Sequence, residues 1–330
     1  MTSCANDPLA ISADDVLGAA RMIRGVAVRT PLLEYAFLNE RIGSRVLIKF
    51  EGAQISGSFK FRGAYNRLAR IAEADRAKGV VAWSSGNHAQ GVAAAARILG
   101  IPAAIVMPED APVMKLANTR ALGAEVVLYD RASQSREEIA TALANERGAV
   151  LVPSFDDPFI IAGQGTVGLE IMEQAEECSA DISQVLVCCG GGGLVAGVAT
   201  AIRDKLPDVA VWSVEPADFD DTARSLVSGR REKVPVGASS ICDALLTPMP
   251  GALTFPINRQ LLAGGLSVTD DEVRSAMRYA FEVLKLVIEP GGAVALAALL
   301  SGKAPKADGA TVVVVSGANV DADLFASAIA

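Results

Sequence analysis

Histidine is nearly absent from this sequence of 330 residues, in which His88 is the only one. A single histidine excludes metal sites built from several imidazoles, and a Ser-His-Asp arrangement would have to use that one residue. The five cysteines form an odd set without a C-x-x-C spacing, which argues against both a disulfide framework and a thiolate zinc site. We therefore expect reduced cysteines and a reaction that other side chains carry out.

Positive charge and long apolar runs are also scarce. The net charge of -8 would repel a phosphate backbone or an anionic membrane. No segment reaches about 18 uninterrupted apolar residues, and the amino terminus has no basic stretch followed by an apolar run. We expect a soluble, cytoplasmic protein whose partners are small molecules, with no nucleic acid and no membrane among them.

Apolar strands and helices alternate along most of the chain. Four strands with three helices between them are predicted from Val80 to Val152, and a second series ends with a strand at Thr311–Val315. This alternation indicates parallel βαβ units with both faces of the sheet covered. We predict an α/β protein of two open, twisted lobes with a cleft between them, a small domain over residues 78–153 and a large domain over 1–77 and 154–330.

Lys60 lies between Phe59 and Phe61. An apolar setting penalises an ammonium, and the positive charge of Arg62 two residues later penalises it further, so we expect a lowered pKa. A neutral amine near pH 7 is what Schiff-base chemistry with an aldehyde cofactor requires. The alternative is a lysine whose stem covers apolar surface while its ammonium stays in water, ahead of a helix predicted at Tyr65–Ala77.

Four consecutive glycines, Gly190–Gly193, lie between a predicted strand, Val185–Cys189, and a helix that Leu194 begins. Such a run costs backbone entropy, and its usual benefit is the close approach of main-chain N–H groups to a phosphate. The segment Gly191–Ala196 also matches G-x-G-x-x-A, and Glu215 ends the next strand about where an acid that binds a ribose would lie. A dinucleotide such as NAD is therefore a competing interpretation.

Two further loops follow predicted strands. The turn Ser84-Ser85-Gly86-Asn87-His88 comes just before a helix, whose free N–H groups and positive dipole end suit a carboxylate. Capping by Ser and Asn, with His88 as a packed residue, is the alternative. Ser316-Gly317-Ala318-Asn319 follows the last strand. With Lys60 and the glycines, these loops fit pyridoxal phosphate better than NAD, because NAD leaves the lysine without a role.

At these residues the chain resembles the serine/threonine dehydratase and serine racemase family, which consists of fold type II pyridoxal-phosphate enzymes. The similarity spans nearly the whole length. It rests on six ordered motifs, which are Ser-Phe-Lys-Phe-Arg-Gly-Ala around Lys60, Ser-Ser-Gly-Asn-His at 84–88, Ala-Gly-Gln-Gly-Thr at 162–166, the glycines at 190–193, Glu-Pro at 215–216 and Ser-Gly-Ala-Asn at 316–319. Six motifs in this order make a chance similarity negligible.

The resemblance implies a role in cofactor binding for each matching residue. Lys60 would bind the aldehyde of pyridoxal phosphate as a Schiff base, and Phe59 would pack beside it. Asn87 would donate a hydrogen bond to the phenolic oxygen, and Ser316 would face the pyridine nitrogen. The phosphate would be held by the main-chain N–H groups of Gly190, Gly191, Gly192, Gly193 and Leu194.

For the substrate, the resemblance implies a carboxylate site formed by Ser84, Ser85, Asn87 and His88, with Arg136 as a second contact. Threonine dehydratases usually have alanine at the position of Ser85, whereas racemases and 3-hydroxyaspartate dehydratases have serine. Handling both enantiomers needs a proton carrier on the face of the cofactor opposite Lys60, and Ser85 is the matching hydroxyl. Cys242-Asp243-Ala244 also departs from the usual Ala-Asp-Gly at the expected substrate pocket.

In the racemase branch of this family a Glu and an Asp hold a divalent cation, and residues 215–221 match that spacing. The candidate ligands are the carboxylates of Glu215 and Asp221 and the carbonyl of Phe219. All are hard oxygen donors suited to Mg, Mn or Ca. The alternative is a solvated acidic helix start.

We therefore predict a pyridoxal-phosphate-dependent lyase that eliminates water from a small β-hydroxy amino acid, such as L-serine or L-threonine, to give a 2-oxo acid and ammonia. A 3-hydroxyaspartate dehydratase and a serine racemase are the nearest alternatives. An NAD-dependent oxidoreductase and a catalytically silent ligand-binding protein are more remote. We also expect a homodimer.

Overall fold

The computed structural model describes residues 9–84, 86–111 and 113–330, and within them ten strands form two sheets. The strands are β1 (Leu32–Glu34), β2 (Val46–Phe50), β3 (Val80–Trp83), β4 (Ala103–Pro108), β5 (Glu125–Tyr129), β6 (Val150–Leu151), β7 (Ile182–Cys188), β8 (Ala210–Pro216), β9 (Gly264–Val268) and β10 (Ala310–Val315).

Fourteen α-helices lie in the same described residues. They are α1 (Ala13–Ile23), α2 (Ala36–Ile42), α3 (Lys60–Leu68), α4 (Glu73–Arg76), α5 (Asn87–Leu99), α6 (Val113–Ala121), α7 (Arg136–Arg147), α8 (Pro158–Glu177), α9 (Gly193–Lys205), α10 (Asp221–Ser228), α11 (Thr254–Leu261), α12 (Asp270–Tyr279), α13 (Pro290–Leu300) and α14 (Ala322–Ile329). None of these described helices has the length and apolar character that crossing a membrane requires.

The strands are divided between a six-stranded and a four-stranded sheet. The larger has the order β1-β2-β10-β7-β8-β9, with β1 antiparallel to β2 and every other pair parallel. The smaller has the order β5-β4-β3-β6 and is parallel throughout. The prediction of an α/β protein with two open, twisted lobes is confirmed.

The centre of the larger sheet is β10, which pairs with β2 on one side and with β7 on the other. Val313 is opposite Ile48 in β2 and Leu186 in β7, and all six residues of β10 are buried. A strand covered on both faces can be apolar on both sides, which explains the uninterrupted run of valines from Val312 to Val315. The strand ends at Val315, so the next residue, Ser316, lies at the edge of the cleft.

Close packing of α8 against α3 places Lys60. A Cβ added to Gly163 in α8 would lie 2.6 Å from Cα of Gly63 in α3, so both helices need glycine at this contact. Gly63 also donates its N–H to Gln164 Oε1 at 3.3 Å. The Ala-Gly-Gln-Gly-Thr motif therefore includes packing residues that fix the lysine helix.

A buried ion network lies next to the lysine helix and involves Arg62, which is 0% exposed. Its guanidinium donates to Glu51 Oε2 at 2.8 Å and to Glu170 Oε1 at 2.6 Å, and Lys49 Nζ donates to Glu170 Oε2 at 2.6 Å. Burial alone would lower the pKa of Arg62, but the two carboxylates raise it above its ordinary value. Arg62 is therefore a buried structural cation that joins α3 to the turn after β2 and to α8.

The prediction of a helix at Tyr65–Ala77 is wrong at both ends. The structure has α3 from Lys60 to Leu68 and a separate short helix, α4, after it. Phe59 already has helical backbone angles, and Arg62 donates its N–H to the Phe59 carbonyl at 3.0 Å. Lys60 is thus the first residue of a helix, which gives its side chain a fixed direction.

Candidate active site

A cavity of about 410 Å³ lies where strands of both sheets end. The Ser84 turn follows β3 of the smaller sheet, and the glycines and Ser316 follow β7 and β10 of the larger one. Of the predicted site residues, the following line it: Phe59, Lys60, Ser84, Asn87, His88, Arg136, Gly190, Gly191, Gly192, Gly193, Leu194 and Ser316. Ser85 lies outside the described residues.

The Lys60 amine is held at the bottom of this cavity. Its Nζ donates to the carbonyl of Ser154 at 2.9 Å and lies 5.1 Å from the centre of the Phe59 ring. Burial lowers the pKa of Lys60 to about 8, against opposing effects of Cys188 and Glu289. The predicted lowering of the Lys60 pKa is therefore present. The second cause that we expected, repulsion by Arg62, is wrong, because carboxylates of the buried ion network compensate the charge of the Arg62 guanidinium.

The segment before Lys60 is fastened to the end of β10. Phe59 donates its N–H to the Ser316 carbonyl at 3.1 Å, Ala318 donates to the Gly57 carbonyl at 2.9 Å, and Ser58 forms a bridge with Gly317. These main-chain contacts fix the Ser316 hydroxyl and the lysine amine on the same wall of the cavity. The two residues are more than 250 positions apart in sequence.

The glycine loop, residues 190–193, leads directly into α9. Gly192 has φ +89°, in the left-handed region that favours glycine, and a Cβ there would lie 2.5 Å from Asn258 Nδ2. Within the described residues no side chain caps α9, so the N–H groups at its start remain available. Free N–H groups and the positive end of a 13-residue helix suit an anion such as a phosphate.

Asn87, the first residue of α5, joins the two walls of the cavity. Its Nδ2 donates to Glu289 Oε1 at 2.6 Å, and its Oδ1 accepts a hydrogen bond from Asn319 Nδ2 at 2.7 Å. Its second amide hydrogen can still be donated to a ligand. The predicted Asn87 and the third predicted loop at 316–319 are therefore brought together.

His88 is a neutral, packed residue. Its ring Nε2 is 2.9 Å from the carbonyl of Val152, and because a carbonyl can only accept, the proton is on Nε2. Burial, with a further effect of Lys60, lowers the pKa of His88 to about 3. The remaining Nδ1 carries a lone pair and cannot donate to a carboxylate, so any contribution of His88 to an anion site comes from its main-chain N–H.

Glu289 lines the site although it was not among the predicted site residues, since Glu289-Pro290-Gly291-Gly292 is only a weak turn signal in the sequence. It precedes the first residue of α13 without a capping hydrogen bond from its side chain, is 2% exposed, and lines the cavity beside Asn87. Burial raises the pKa of Glu289 to about 8, and the nearby Asp243 adds to the effect. The carboxyl group therefore holds its proton at neutral pH.

The rim of the cavity carries paired charges. Arg136 is 43% exposed and donates from Nε to Glu137 at 2.9 Å. Lys115, which was not predicted, donates to Asp243 Oδ2 at 2.7 Å and so connects α6 to the segment after Cys242. The sequence gives little indication of this contact, because Lys115 and Asp243 are 128 positions apart.

The candidate cation ligands lie outside this cavity. Both carboxylate oxygens of Glu215 accept main-chain N–H groups, from Thr222 at 2.9 Å and from Ala223 at 2.8 Å. Glu215 therefore caps α10 and is not presented to a ribose at the glycine loop, which removes the support for a dinucleotide. Asp221 Oδ2 is buried without a hydrogen-bond partner among the described residues. Within those residues no group of three or more His, Cys, Asp or Glu side chains is arranged to hold a metal ion.

Comparisons with known proteins agree on one family. Residues 23–317 match the family model described as pyridoxal-phosphate dependent enzyme. The chain is 44% identical over 313 residues to an L-threo-3-hydroxyaspartate ammonia-lyase of Pseudomonas sp, covering 95% of this chain and 97% of that protein. It is 41% identical over 315 residues to an L-threonine ammonia-lyase of Thermotoga maritima, covering 96% and 77%. The structure of maize serine racemase superimposes with a TM-score of 0.91 at 35% identity, covering 97% of each chain.

Proposed function

This chain belongs to the pyridoxal-phosphate-dependent enzymes, and we propose that it is an ammonia-lyase that eliminates water from a small β-hydroxy amino acid. One observation carries the proposal. The Lys60 amine, with its lowered pKa, lies in the same cavity as a glycine loop that suits a phosphate and a helix start that suits a carboxylate.

The residues of the cavity fit pyridoxal phosphate on chemical grounds. An amine that loses its proton readily can bind the aldehyde, and the uncapped start of α9 can hold the phosphate. We assign cofactor binding to Phe59, Lys60, Asn87, Gly190, Gly191, Gly192, Gly193, Leu194 and Ser316, with Ser316 at the pyridine nitrogen. When bound, pyridoxal phosphate withdraws electrons from the substrate and makes its Cα proton acidic.

Lys60 is the proposed base. Burial increases the fraction of its amine that is neutral, and the neutral amine takes the proton from Cα of the amino acid. The bond between Cβ and the hydroxyl oxygen then breaks, and the hydroxyl group leaves with a proton as water. The resulting enamine becomes an imine, which water hydrolyses to the 2-oxo acid and ammonia.

The substrate carboxylate is assigned to the start of α5. The free N–H groups there, together with the side chains of Ser84 and Asn87, present donors to an anion, and we assign Ser85 to the same site from the sequence motif alone. His88 contributes its main-chain N–H, and Arg136 at the rim supplies positive charge. This arrangement orients the amino acid with its Cα toward Lys60.

L-Serine and L-threonine are the proposed substrates, and 3-hydroxyaspartate is the next. Relatives that are named L-threonine ammonia-lyase and L-threo-3-hydroxyaspartate ammonia-lyase support L-threonine and 3-hydroxyaspartate. Serine racemisation is a second candidate function, because the chain is also similar to a protein named serine racemase and its sequence has Ser85 in the motif before α5.

We also propose that a divalent cation binds to Glu215, Asp221 and the carbonyl of Phe219. The buried, unpaired Asp221 Oδ2 supports this, because an unpaired carboxylate oxygen is costly to bury. Burial raises the pKa of Asp221 to about 7, and it raises that of Glu215 as well. A cation would relieve the repulsion between the two carboxylates.

The assembly and the location are proposals of the same kind. Phe37 in α2 and Phe281 just after α12 are large apolar side chains that remain exposed, and exposed side chains of this kind support a homodimer. The free cysteines among the described residues accord with a reducing compartment such as the cytoplasm.

We also propose the division of the chain into a small domain (78–153) and a large domain (1–77 with 154–330).

A side-by-side substrate screen tests the proposed function. The purified holoenzyme should release equal amounts of ammonia and 2-oxo acid from L-serine, L-threonine or L-threo-3-hydroxyaspartate, and chiral chromatography should report any D-serine. Lys60→Ala serves as the inactive control. A yellow protein that is inert toward every amino acid tested would contradict the proposal and favour the silent ligand-binding protein. A colourless protein that binds NAD would overturn the assignment altogether.

A further inference from the structure

The loop Pro153–Asp157 contacts several parts of the site that are distant in sequence. The Ser154 carbonyl accepts from Lys60 Nζ at 2.9 Å. The Phe155 ring lies against Gly191 so closely that a Cβ on that glycine would collide with it. Asp156 and Asp157 each accept main-chain N–H groups at the start of a helix, but the two helices are different.

Asp156 holds the first turn of α11. Its Oδ2 accepts the N–H of Ala252 at 2.9 Å, and its Oδ1 accepts those of Leu253 at 2.8 Å and Thr254 at 3.4 Å. A carboxylate at this place satisfies donors that a helix start leaves unpaired, and its charge is favourable at the positive end of the helix. Asp156 thus fixes the position of a helix that is almost 100 residues away in sequence.

The α11 helix in turn holds the carbonyls of the glycine loop. Thr254 Oγ1 donates to the Gly191 carbonyl at 2.6 Å, and Asn258 Nδ2 donates to the Gly192 carbonyl at 3.5 Å. Gly251, just before the helix, also donates its N–H to the Gly191 carbonyl at 3.3 Å. These contacts hold the carbonyls on the side of the loop that faces α11.

Peptide geometry connects this support to anion binding. In a trans peptide the C=O of one residue and the N–H of the next point in opposite directions. Holding the carbonyls of Gly191 and Gly192 toward α11 therefore directs the N–H groups of Gly192 and Gly193 away from it. These glycines line the cavity, so their donors are presented in fixed directions before an anion arrives.

We propose that Asp156 is a positioning residue for the phosphate site of the glycine loop, acting through α11 and Thr254. The inference rests on the proposed cofactor site. Asp156 itself does not contact the phosphate, because two carboxylate oxygens near an anion would repel it and both already accept N–H groups. Its effect is to keep the glycine N–H groups in the direction that binds the anion.

The test compares Asp156→Asn with its neighbour Asp157→Asn. Asp157 is a matched control, because it caps α8 through Phe159 and Ile160 and pairs with Arg67 at 3.0 Å. Both variants lose one helix-capping charge. Only Asp156→Asn should raise the dissociation constant of pyridoxal phosphate, by roughly tenfold or more, the size of effect that residues orienting a binding group have elsewhere.

The dissociation constant is measured by absorbance of the bound cofactor after dialysis of the holoenzyme against a series of cofactor concentrations. This readout does not depend on turnover. The kcat at saturating cofactor should fall less than the affinity does, and thermal midpoints should fall by similar amounts in the two variants. If Asp157→Asn loses as much affinity as Asp156→Asn, the effect is general destabilisation and the proposal is overturned.

Thr254 supplies a second, independent comparison. Thr254→Val removes the donor to Gly191 and should weaken cofactor binding, whereas Thr254→Ser keeps the hydroxyl and should bind nearly as well as wild type. Combined with Asp156→Asn, Thr254→Val should add little further loss, because both changes act on the same carbonyl. Additive losses of cofactor affinity would overturn the route through Thr254.

Wild-type protein that binds the cofactor but turns over no amino acid would contradict the proposed function alone.

Discussion

Asn87 and Glu289 are joined across the cavity by a hydrogen bond of 2.6 Å from Asn87 Nδ2 to Glu289 Oε1. Asn87 follows a strand of the smaller sheet, and Glu289 precedes α13, which packs on the larger one. The bond therefore connects the two halves of the molecule at the active site. Burial raises the pKa of the Glu289 carboxyl group to about 8, and the hydrogen bond from Asn87 opposes that rise.

The raised pKa of Glu289 predicts a specific dependence of stability on pH. Between its ordinary pKa of 4.5 and its folded value of about 8, the folded state binds more protons than the unfolded chain. The free energy of unfolding should therefore fall as pH rises through this range, by at most about 1.4 kcal/mol per pH unit. Glu289→Gln cannot titrate and should lack this part of the slope.

Urea denaturation of the cofactor-free protein at several pH values between about 5 and 8 measures the difference. Glu146→Gln, at an exposed position on α7, is the matched control and should keep the wild-type slope. If the unfolding free energy depends on pH in the same way in wild type and in Glu289→Gln, then Glu289 is ionised in the folded protein.

Replacing Lys60 by alanine should abolish covalent attachment of the cofactor and reduce turnover by at least roughly 10²–10⁴-fold, the usual contribution of a catalytic proton-transfer group. Borohydride treatment of wild type should fix the chromophore on the peptide that contains Lys60, as mass spectrometry would show. Lys78→Ala, at an exposed lysine, should be labelled at Lys60 like wild type. Labelling of Lys60→Ala at any other residue would move the site away from Lys60.

Gly192→Ala should weaken cofactor binding because the new Cβ would lie 2.5 Å from Asn258 Nδ2 and 3.0 Å from Thr254 Oγ1. Gly229→Ala is the control, since Gly229 has a similar φ of +74° and open space around it. Both changes should reduce stability by about 1 kcal/mol through backbone strain. Only Gly192→Ala should lose affinity for pyridoxal phosphate in the absorbance titration. Unchanged affinity in Gly192→Ala would mean that the loop tolerates a side chain, and equal losses in the two variants would mean that backbone strain alone weakens binding.

A chelator should lower the thermal midpoint of the wild-type protein, and Mg, Mn or Ca should restore it, because a ligand of the folded state stabilises that state. Asp221→Asn should be insensitive to both. If the chelator has no effect and Asp221→Asn is more stable than wild type, then Glu215 and Asp221 are only a buried carboxylate pair whose repulsion the asparagine relieves.

Ser85→Ala should separate dehydration from racemisation. Lys60 reaches one face of the bound substrate, so turnover of D-serine and formation of D-serine from L-serine need a proton carrier on the other face. We expect Ser85→Ala to keep dehydration of L-substrates with a moderate loss and to lose both D-serine reactions. Chiral chromatography measures them, and D-serine turnover that survives in Ser85→Ala would limit Ser85 to binding the carboxylate.

Much of the smaller sheet could be predicted from sequence because its strands and helices follow one another without interruption. Val80–Trp83 and Ala103–Pro108 are apolar strands separated by α5, and short-range periodicity is sufficient to identify them. The strand β9 in the larger sheet was missed, since Gly264 and Gly265 have low strand propensity and are held there by pairing with β8.

The site was predicted where a motif is local and missed where the partner is remote. Lys60 and the glycine loop can each be recognised from a few consecutive residues. The charge of Arg62 was misjudged because its partners, Glu51 and Glu170, cannot be identified without the fold. Glu289 was missed for the same reason, since its raised pKa arises from burial and from Asp243, and neither can be identified without the fold.

The central position of β10 has a consequence for synthesis of the chain on the ribosome. The smaller sheet uses only residues 80–151 and can form while the rest of the chain is still being made. The larger sheet cannot close until residues 310–315 have emerged, and until then β2 and β7 each expose an unpaired edge. Nascent chains that stop before β10 should therefore depend on chaperones, because two apolar strand edges in one partly made molecule favour aggregation.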